Sequence, residues 1–413
     1  MTITCGIDWA EQHHDVAVLD HDGQVLARRR IDAGMSGFTE LVGLLNELAD
    51  GQPARDVLSV PIAIETDKNL LVVALQAAGF TVYPINPLAV ARYRERHGQS
   101  GKKSDAGDAR VLADILRTDA HRHRSLPAVT EHGSAVKALA RQHQEAVWAM
   151  QQTANRLRSV LREFYPQALA AFPNLLHKAP QTVLAAAPTP VLGARLTSKR
   201  VVALLHRCGR RNDPTLVEHI LAAFRTPALR QPATVETALG VSAQTLLRVL
   251  AAQQAAAETL EKALGERFNT HPLAPILRSA PGLGPVLAAR VLAEIGDDPA
   301  RFDSPAGLRA FAGTAPVTRA SGRSHYVKAR KIRNKRLGDA CHWCAFAMLT
   351  KSPGARAHYD RRRAAGDHHN AALRNLANKL LGRLWWCLQN QRLWDDDAAW
   401  TNPSTGATAA AAA

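Results

Sequence analysis

The stretch "TITCGIDWAEQHHDVAVLDHDGQVLARRRID", residues 2–32, decides the N-terminal fold. Its runs rich in Val and Ile are typical of β-strands, and the sequence His21-Asp22-Gly23 is typical of a hairpin turn. Asp8 ends the first apolar run directly after Ile7, a costly place for a charge unless a positive group meets it. The stretch therefore predicts hairpin strands with a functional acid at one strand end.

The residues that follow alternate between helix and strand patterns. The segments 36–50 and 69–80 have the apolar periodicity of helices, whereas "PIAIET" (61–66) and "TVYPINP" (81–87) have the character of short strands. Hairpin strands followed by helix, strand, helix, strand and helix indicate an α/β layer with a mixed sheet. This order is typical of a ribonuclease-H-like fold, which we expect over residues 1–130.

Beyond this domain the pattern becomes helical. Heptad positions that begin at Val136 and end at Phe164 predict a long coiled-coil helix in a connector at 131–175. This helix could pair with a second chain or with a later helix of its own chain. Residues 176–270 are expected to be helical, residues 271–398 to form a mainly helical C-terminal domain, and the low-complexity residues 399–413 to be disordered.

The composition favours a polyanionic partner. The 413 residues carry a net charge of +16 with a pI near 10.1, which favours nucleic acid over an inert basic surface or a membrane. No long apolar run or signal-peptide pattern is apparent, so a cytoplasmic location is the default expectation. Five scattered cysteines fit a reducing compartment, and Cys341 and Cys344 fit core packing better than a zinc site.

Four carboxylates form a candidate metal site. Asp8 and Glu65 end two strands that are neighbours in such a sheet, and Asp105 and Asp108 lie one helical turn apart. Asp105 could instead complement a helix dipole, Asp108 could be solvated, and Glu65 could pair with Lys68. Because Mg²⁺ prefers oxygen ligands and phosphodiester chemistry uses bridging metal ions, the set as a whole predicts a site for two Mg²⁺ ions.

A strip without acids, between Asp303 and Asp339, carries the second candidate site. It contains Ser321 beside Gly322, with Ser324 as a similar candidate, although spacing alone favours an ordinary loop serine. The turn at 281–284 could offer backbone N–H groups to a phosphate, as in a helix-hairpin-helix element, or could be a simple tight turn. The residues expected to bind nucleic acid are Lys102, Lys103, Gly282, Gly284, Arg319, Arg323, Lys328, Arg330, Lys331, Arg333, Lys335 and Arg336.

The ordered set of motifs resembles a known family. "GIDWAEQHHDVAVLD", "AIET", "GKKSDAGDARVLADILR", "APGLGPVLAARVLAEIGD" and "FAGTAPVTRASGR" occur in the order seen in the insertion-sequence one-ten family of transposases, which are bridge-RNA-guided DEDD/serine recombinases. The resemblance implies a RuvC-like N-terminal domain and a C-terminal transposase domain. It also implies that Asp8, Glu65, Asp105 and Asp108 are the metal ligands, and that Ser321 is the nucleophile.

The resemblance further implies a set of partners. These are donor and target DNA, a structured bridge RNA, and other copies of the chain in a dimer or in a synaptic tetramer, acting at the bacterial nucleoid. Two alternatives stay open at this point. The first is a RuvC-like metal-dependent nuclease or junction resolvase in which water attacks, and the second is a non-catalytic nucleic-acid-binding protein.

Overall fold

A computed structural model of the chain describes residues 3–50, 57–97, 104–127, 130–210, 213–322 and 324–400. It contains two compact units, Met1–Ala128 and Val129–Ala413. Three of the residues expected to bind nucleic acid, Lys102, Lys103 and Arg323, lie outside the described residues, as do residues 401–413.

The first unit contains a five-stranded mixed sheet. Its strands are β1 (Thr4–Trp9), β2 (His13–Leu19), β3 (Val25–Asp32), β4 (Ile62–Ile64) and β5 (Val82–Pro84), in the order β3-β2-β1-β4-β5. Strand β2 is antiparallel to both of its neighbours, β1 and β3, whereas β4 is parallel to both of its neighbours, β1 and β5. The predicted turn between β2 and β3 is present, with Gly23 at a φ of 85° that favours glycine. The mixed sheet is therefore confirmed.

In the described part of this unit, four α-helices accompany the sheet: α1 (Met35–Asp50), α2 (Leu70–Ala77), α3 (Pro87–His97) and α4 (Asp105–Asp119). The last of these packs directly on β1, because Gly6 has no side chain at the contact. A Cβ atom at position 6 would lie 2.9 Å from the Cβ of Leu112, and closer still to backbone atoms of Ala109 and Ala113. Gly6 thus brings the backbone of α4 against the central strand.

The second unit is mostly helical, as predicted. Its helices are α5 (Glu131–Phe164), α6 (Pro166–Ala171), α7 (Lys178–Ala186), α8 (Pro190–Ala194), α9 (Ser198–Arg207), α10 (Pro214–Arg225), α11 (Ala233–Asn269), α12 (Ala274–Ser279), α13 (Pro285–Ile295), α14 (Pro305–Ala312), α15 (Lys335–Met348), α16 (Pro353–Ala364), α17 (His369–Gln389) and α18 (Asp396–Trp400). The sequence interpretation did not foresee the two-stranded hairpin of β6 (Val317–Ser321) and β7 (Ser324–Lys328).

The long helix α5 pairs with α11, a later helix of the same chain. Val136 near the start of α5 shares a hydrophobic core with Phe268 near the end of α11, and Leu161 shares another with Leu247. The two helices are therefore antiparallel. Of the two pairings that the heptads left open, the structure contains the intramolecular one.

Two features of the C-terminal part bear on earlier expectations. Cys341 and Cys344 are fully buried in a hydrophobic core, the role that their sequence context favours. Ala399 and Trp400, expected to begin a disordered tail, instead complete α18, where the Trp400 indole N–H donates to Asp396 at 3.0 Å. In the part of the chain that the structure describes, no helix has the length and apolar character needed to cross a membrane.

Candidate active site

A row of charged side chains crosses one end of the sheet in the first unit. Strand register places Asp8 on β1 opposite Asp15 on β2, and Asp15 opposite Arg30 on β3. On the other side of β1, Ile7 pairs with Ile64, so Glu65 follows β4 at the same edge. Two predicted ligands, Asp8 and Glu65, therefore meet at the end of neighbouring parallel strands.

Helix α4 supplies the other two predicted ligands. The hydroxyl of Ser104 accepts a hydrogen bond from the Gly107 backbone N–H at 3.2 Å, so Ser104 caps the helix and Asp105 is its first residue. The side chain of Asp105 is 61% exposed, whereas that of Asp108 is only 5% exposed. One turn of helix thus carries one carboxylate at the surface and one in the interior.

The charges of these acids act on one another. Burial, followed in order by the charges of Asp108, Glu65, Asp105 and Asp15, raises the pKa of the Asp8 carboxyl to about 6. Like charges nearby disfavour ionisation, so each of these four carboxylates opposes the ionised form of Asp8. The charges of the three other predicted ligands and of a further acid, Asp15, therefore all act on Asp8.

Two arginines neutralise part of this negative charge. The Arg30 guanidinium donates to both oxygens of Asp15, at 2.9 and 3.3 Å, and lies 3.8 Å from Asp105. Arg94 on α3 forms an ion pair with Asp108. The Oδ1 atom of Asp108, which is buried, is the oxygen that contacts the Arg94 guanidinium. A buried carboxylate is costly unless a positive charge pairs with it, and Arg94 provides that charge.

Asp15 is the site residue that the sequence interpretation missed. Ligand atoms of His13, Asp15 and Asp105 lie within 4.8 Å of one another, whereas the four predicted ligands form no such group among the residues described. Asp15 is only 7% exposed, although it lies at the start of the apolar run "VAVL". The charge of Asp15 beside an apolar run was a signal in the sequence. It could be connected with Asp8 only once the register of β1 and β2 was known.

The predicted nucleophile lies on the β6–β7 hairpin in the second unit. Ser321 ends β6 and pairs with Ser324, the first residue of β7. Gly322 between the strands has a φ of 55°, which favours glycine in the tight turn. Both serines are exposed. The hairpin therefore presents the Ser321 hydroxyl to solvent at its tip.

Basic residues surround this hairpin. Arg319 and Lys328 are exposed on its two strands. A nearby cleft of about 680 Å³ is lined by Trp148, Asp339 and a cluster of basic side chains, Arg330, Lys331, Arg333, Lys335 and Arg374. An aromatic side chain among many cations is typical of a nucleic-acid surface.

Two other members of the predicted nucleic-acid set have structural contacts. Arg336 forms an ion pair with Glu145 and lies 5.1 Å from the centre of the Trp148 ring, leaving its side chain 18% exposed. Gly282 has a φ of 80°, and a Cβ atom there would lie 2.8 Å from the Met348 backbone nitrogen. Both residues therefore have packing roles. Gly284, at the start of α13, is exposed, and its phosphate contact stays a prediction.

Comparison with known proteins identifies relatives of the whole chain. A family model described as a transposase, of the DEDD type of IS110, matches residues 5–166, and one described as "Transposase IS116/IS110/IS902 family" matches residues 274–360. The "Mini-circle putative transposase for IS117" of Streptomyces coelicolor is 50% identical over 404 residues, 97% of each chain. The "Insertion element IS110 uncharacterized 43.6 kDa protein" of the same species is 31% identical over 320 residues, 77% of this chain and 78% of that protein.

A further relative is the "Insertion element IS900 uncharacterized 42 kDa protein" of Mycobacterium paratuberculosis, 29% identical over 402 residues, 95% of this chain and 97% of that protein. The two family models cover both the carboxylate row and the serine hairpin. Together with the full-length match at 50% identity, they show that the chain belongs to the IS110 family of transposases.

Proposed function

We propose that this transposase cuts and rejoins DNA with a metal site made by Asp8, Glu65, Asp105 and Asp108 in a ribonuclease-H-like (RuvC-like) domain. The observation that supports the proposal most directly is that burial, together with the charges of four neighbouring carboxylates, raises the pKa of Asp8 to about 6. Such crowding costs stability unless cations are bound, so a purely structural role does not account for it.

The residues present fit Mg²⁺. All four donors are hard carboxylate oxygens, and burial together with the neighbouring acids disfavours the ionised form of Asp8, which a bound cation would stabilise. Two bound Mg²⁺ ions would stabilise charge on the scissile phosphate and favour an ionised nucleophile. Asp8 and Glu65 would fix this site to the rigid sheet, while α4 would bring the remaining pair of ligands from one side.

Ser321 would be the nucleophile. Its Oγ attacks the phosphorus and loses its proton to solvent, the bond from phosphorus to the 3′ oxygen breaks, and that oxygen takes up a proton. The products are a serine–phosphate ester and a free 3′ hydroxyl. In the rejoining step a 3′ hydroxyl of the other duplex attacks the ester and regenerates the serine hydroxyl. Exposure of Ser321 at the hairpin tip supports this role, because DNA can reach it.

The basic cleft beside the hairpin would hold the DNA backbone. Five cations line it, and Arg319 and Lys328 extend the positive surface along the two strands. In this proposal residues 1–130 supply the metal ligands and residues 271–398 supply the nucleophile. Arg and Lys contacts to phosphate provide affinity without sequence choice, so sequence choice must come from another source.

A structured bridge RNA would be that source, pairing with donor and target DNA in the bacterial cytoplasm. The support is the family resemblance together with the net charge of +16, which favours polyanionic partners. A dimer, or a tetramer in the synaptic complex, would join two DNA ends. Sequencing the RNA that copurifies with the protein tests the guide. Light scattering with and without DNA tests the oligomer.

A trapping experiment tests the serine mechanism. Protein incubated with Mg²⁺ and DNA carrying the element ends is run on a denaturing gel, where a covalent protein–DNA adduct migrates slowly. We expect Ser321→Ala to abolish the adduct and Ser324→Ala, the matched change at its cross-strand partner, to retain it. An adduct that survives Ser321→Ala would exclude this serine. Cleavage without any adduct would favour a nuclease in which water attacks.

A further inference from the structure

The helical region between the two matched family domains contains a second basic stretch. Residues 167–212 include no Asp or Glu but seven Lys or Arg residues. Family models match residues 5–166 and 274–360, so neither covers this segment. Its helices α7 and α9 pack against each other and share a hydrophobic core with α11, so this positive charge lies on a folded surface.

A cleft of about 630 Å³ lies between α7, α9 and α11. Leu204 and Leu247 form part of an apolar floor, and both are buried. The rim is basic and consists of Lys178, Arg200, Arg207 and Arg248, all of them exposed. The cleft therefore combines an apolar surface with positive charges at its edge.

Most of this positive charge is not neutralised within the chain. Lys178 pairs with Glu258, at 3.0 Å, and Glu258 is the only acid among the side chains that line the cleft. Arg200 and Arg207 have no ion pair with any acid in the described ranges. On α9 these two arginines lie on the same side as Leu204 and face the cleft, whereas Lys199 of the same helix does not line it.

We propose that this cleft binds an unpaired stretch of a nucleic acid strand. The guanidinium groups at the rim suit phosphate oxygens, because they present several donors in a planar fork. The apolar floor suits a base that has left its stack. In a duplex the bases are paired and stacked, so they cannot reach such a floor, whereas a single strand along a basic groove exposes its base faces to the side chains beneath. The proposal depends on neither the metal ligands nor Ser321.

Cys208 offers a reporter inside the cleft. It lines the cleft and is partly exposed, whereas Cys5, Cys341, Cys344 and Cys387 are buried. The rate at which iodoacetamide alkylates Cys208, followed by peptide mass spectrometry, therefore reports on the occupancy of this surface alone. Binding of nucleic acid to other basic surfaces leaves this signal unchanged.

The experiment compares 15-nucleotide oligo-dT and oligo-U with a 15-base-pair duplex. With either single strand at about ten times its dissociation constant, only about a tenth of the protein is free, so we expect alkylation of Cys208 to slow about tenfold. The duplex should give little protection. Protection by oligo-U alone would identify RNA as the source of the strand. Protection by both oligonucleotides would show that the cleft recognises what RNA and DNA share, the phosphate backbone and the bases.

Two double variants with equal loss of charge provide the control. Arg200→Gln/Arg207→Gln should abolish the protection, whereas Lys199→Gln/Arg210→Gln, which removes two cations outside the cleft lining, should retain it. Thermal unfolding of both variants verifies that each is folded. Unchanged alkylation at saturating oligonucleotide, equal effects of the two variants, or equal protection by the duplex would each overturn the proposal.

Discussion

Replacement of Gly6 by alanine tests how the fold builds the carboxylate site. Gly6 lies on the central strand β1, two residues before Asp8, where the backbone of α4 crosses it. An added Cβ atom would lie 2.9 Å from the Leu112 Cβ and closer to the Ala109 carbonyl oxygen and the Ala113 nitrogen. Two of these three neighbours are backbone atoms, so rotation of a side chain cannot relieve the clash.

The expected cost follows from this geometry. Overpacking of a well-packed interior costs about 1–3 kcal/mol and occasionally more, and a clash with helix backbone belongs at the upper end of that range. Since 1.4 kcal/mol corresponds to a factor of ten, amide exchange in β1 should accelerate by about a hundredfold. Because α4 must move away from β1, Asp105 and Asp108 should also move away from Asp8, and the affinity for Mg²⁺ should fall.

Hydrogen-exchange mass spectrometry measures the first effect, and calorimetric titration with Mg²⁺ measures the second. Gly43→Ala is the matched control, because Gly43 lies on α1 and a Cβ atom there meets nothing within 4 Å. Alanine in place of a mid-helix glycine should stabilise the protein by about 0.5–1 kcal/mol and leave Mg²⁺ binding unchanged. Wild-type exchange in β1 together with wild-type Mg²⁺ affinity in Gly6→Ala would show that the packing of α4 on β1 does not depend on glycine at position 6.

Three further predictions concern stability. Because the pKa of Asp8 rises from 3.8 to about 6 on folding, ionisation of Asp8 destabilises the folded protein as pH increases through about 6. Asp8→Asn should therefore raise the melting temperature of the metal-free protein at pH 8 more than at pH 5, and should weaken the stabilisation by added Mg²⁺. Differential scanning fluorimetry in EDTA and in Mg²⁺ measures both effects. Glu294, 3% exposed, accepts two hydrogen bonds from Arg141 at 2.8 and 3.0 Å; Glu294→Ala should cost about 3–5 kcal/mol in urea unfolding, and a loss below 1 kcal/mol would contradict this pairing. Gly282→Ala should lower the free energy of unfolding by about 1–3 kcal/mol, because its φ of 80° disfavours alanine and the Cβ atom would crowd the Met348 backbone. An unchanged urea unfolding curve would show that α15 can shift without loss of stability.

Local patterns in the sequence predicted the mixed sheet and the helical second unit. Strand and helix periodicities are properties of a few neighbouring residues, so "HDVAVL", the glycine turn at 23 and the heptads after Val136 could be interpreted without tertiary contacts. The hairpin that carries Ser321 was not predicted, because prediction of a strand depends on such a local pattern. Nearly all residues of β6 and β7 are exposed, so their sequence lacks the apolar alternation by which a strand is recognised.

The candidate acids of the metal site can also be recognised in the sequence, because Asp8 and Glu65 end apolar runs and Asp105 and Asp108 are one helical turn apart. The position of Asp15 opposite Asp8, the ion pairs of Arg30 and Arg94 with these acids, and the pairing of α5 with α11 are visible in the folded chain alone. Each of these contacts depends on strand register or helix packing between residues far apart in the chain. Short-range periodicity contains no information about such pairings, whereas folding fixes them because one register alone buries the apolar face of the sheet.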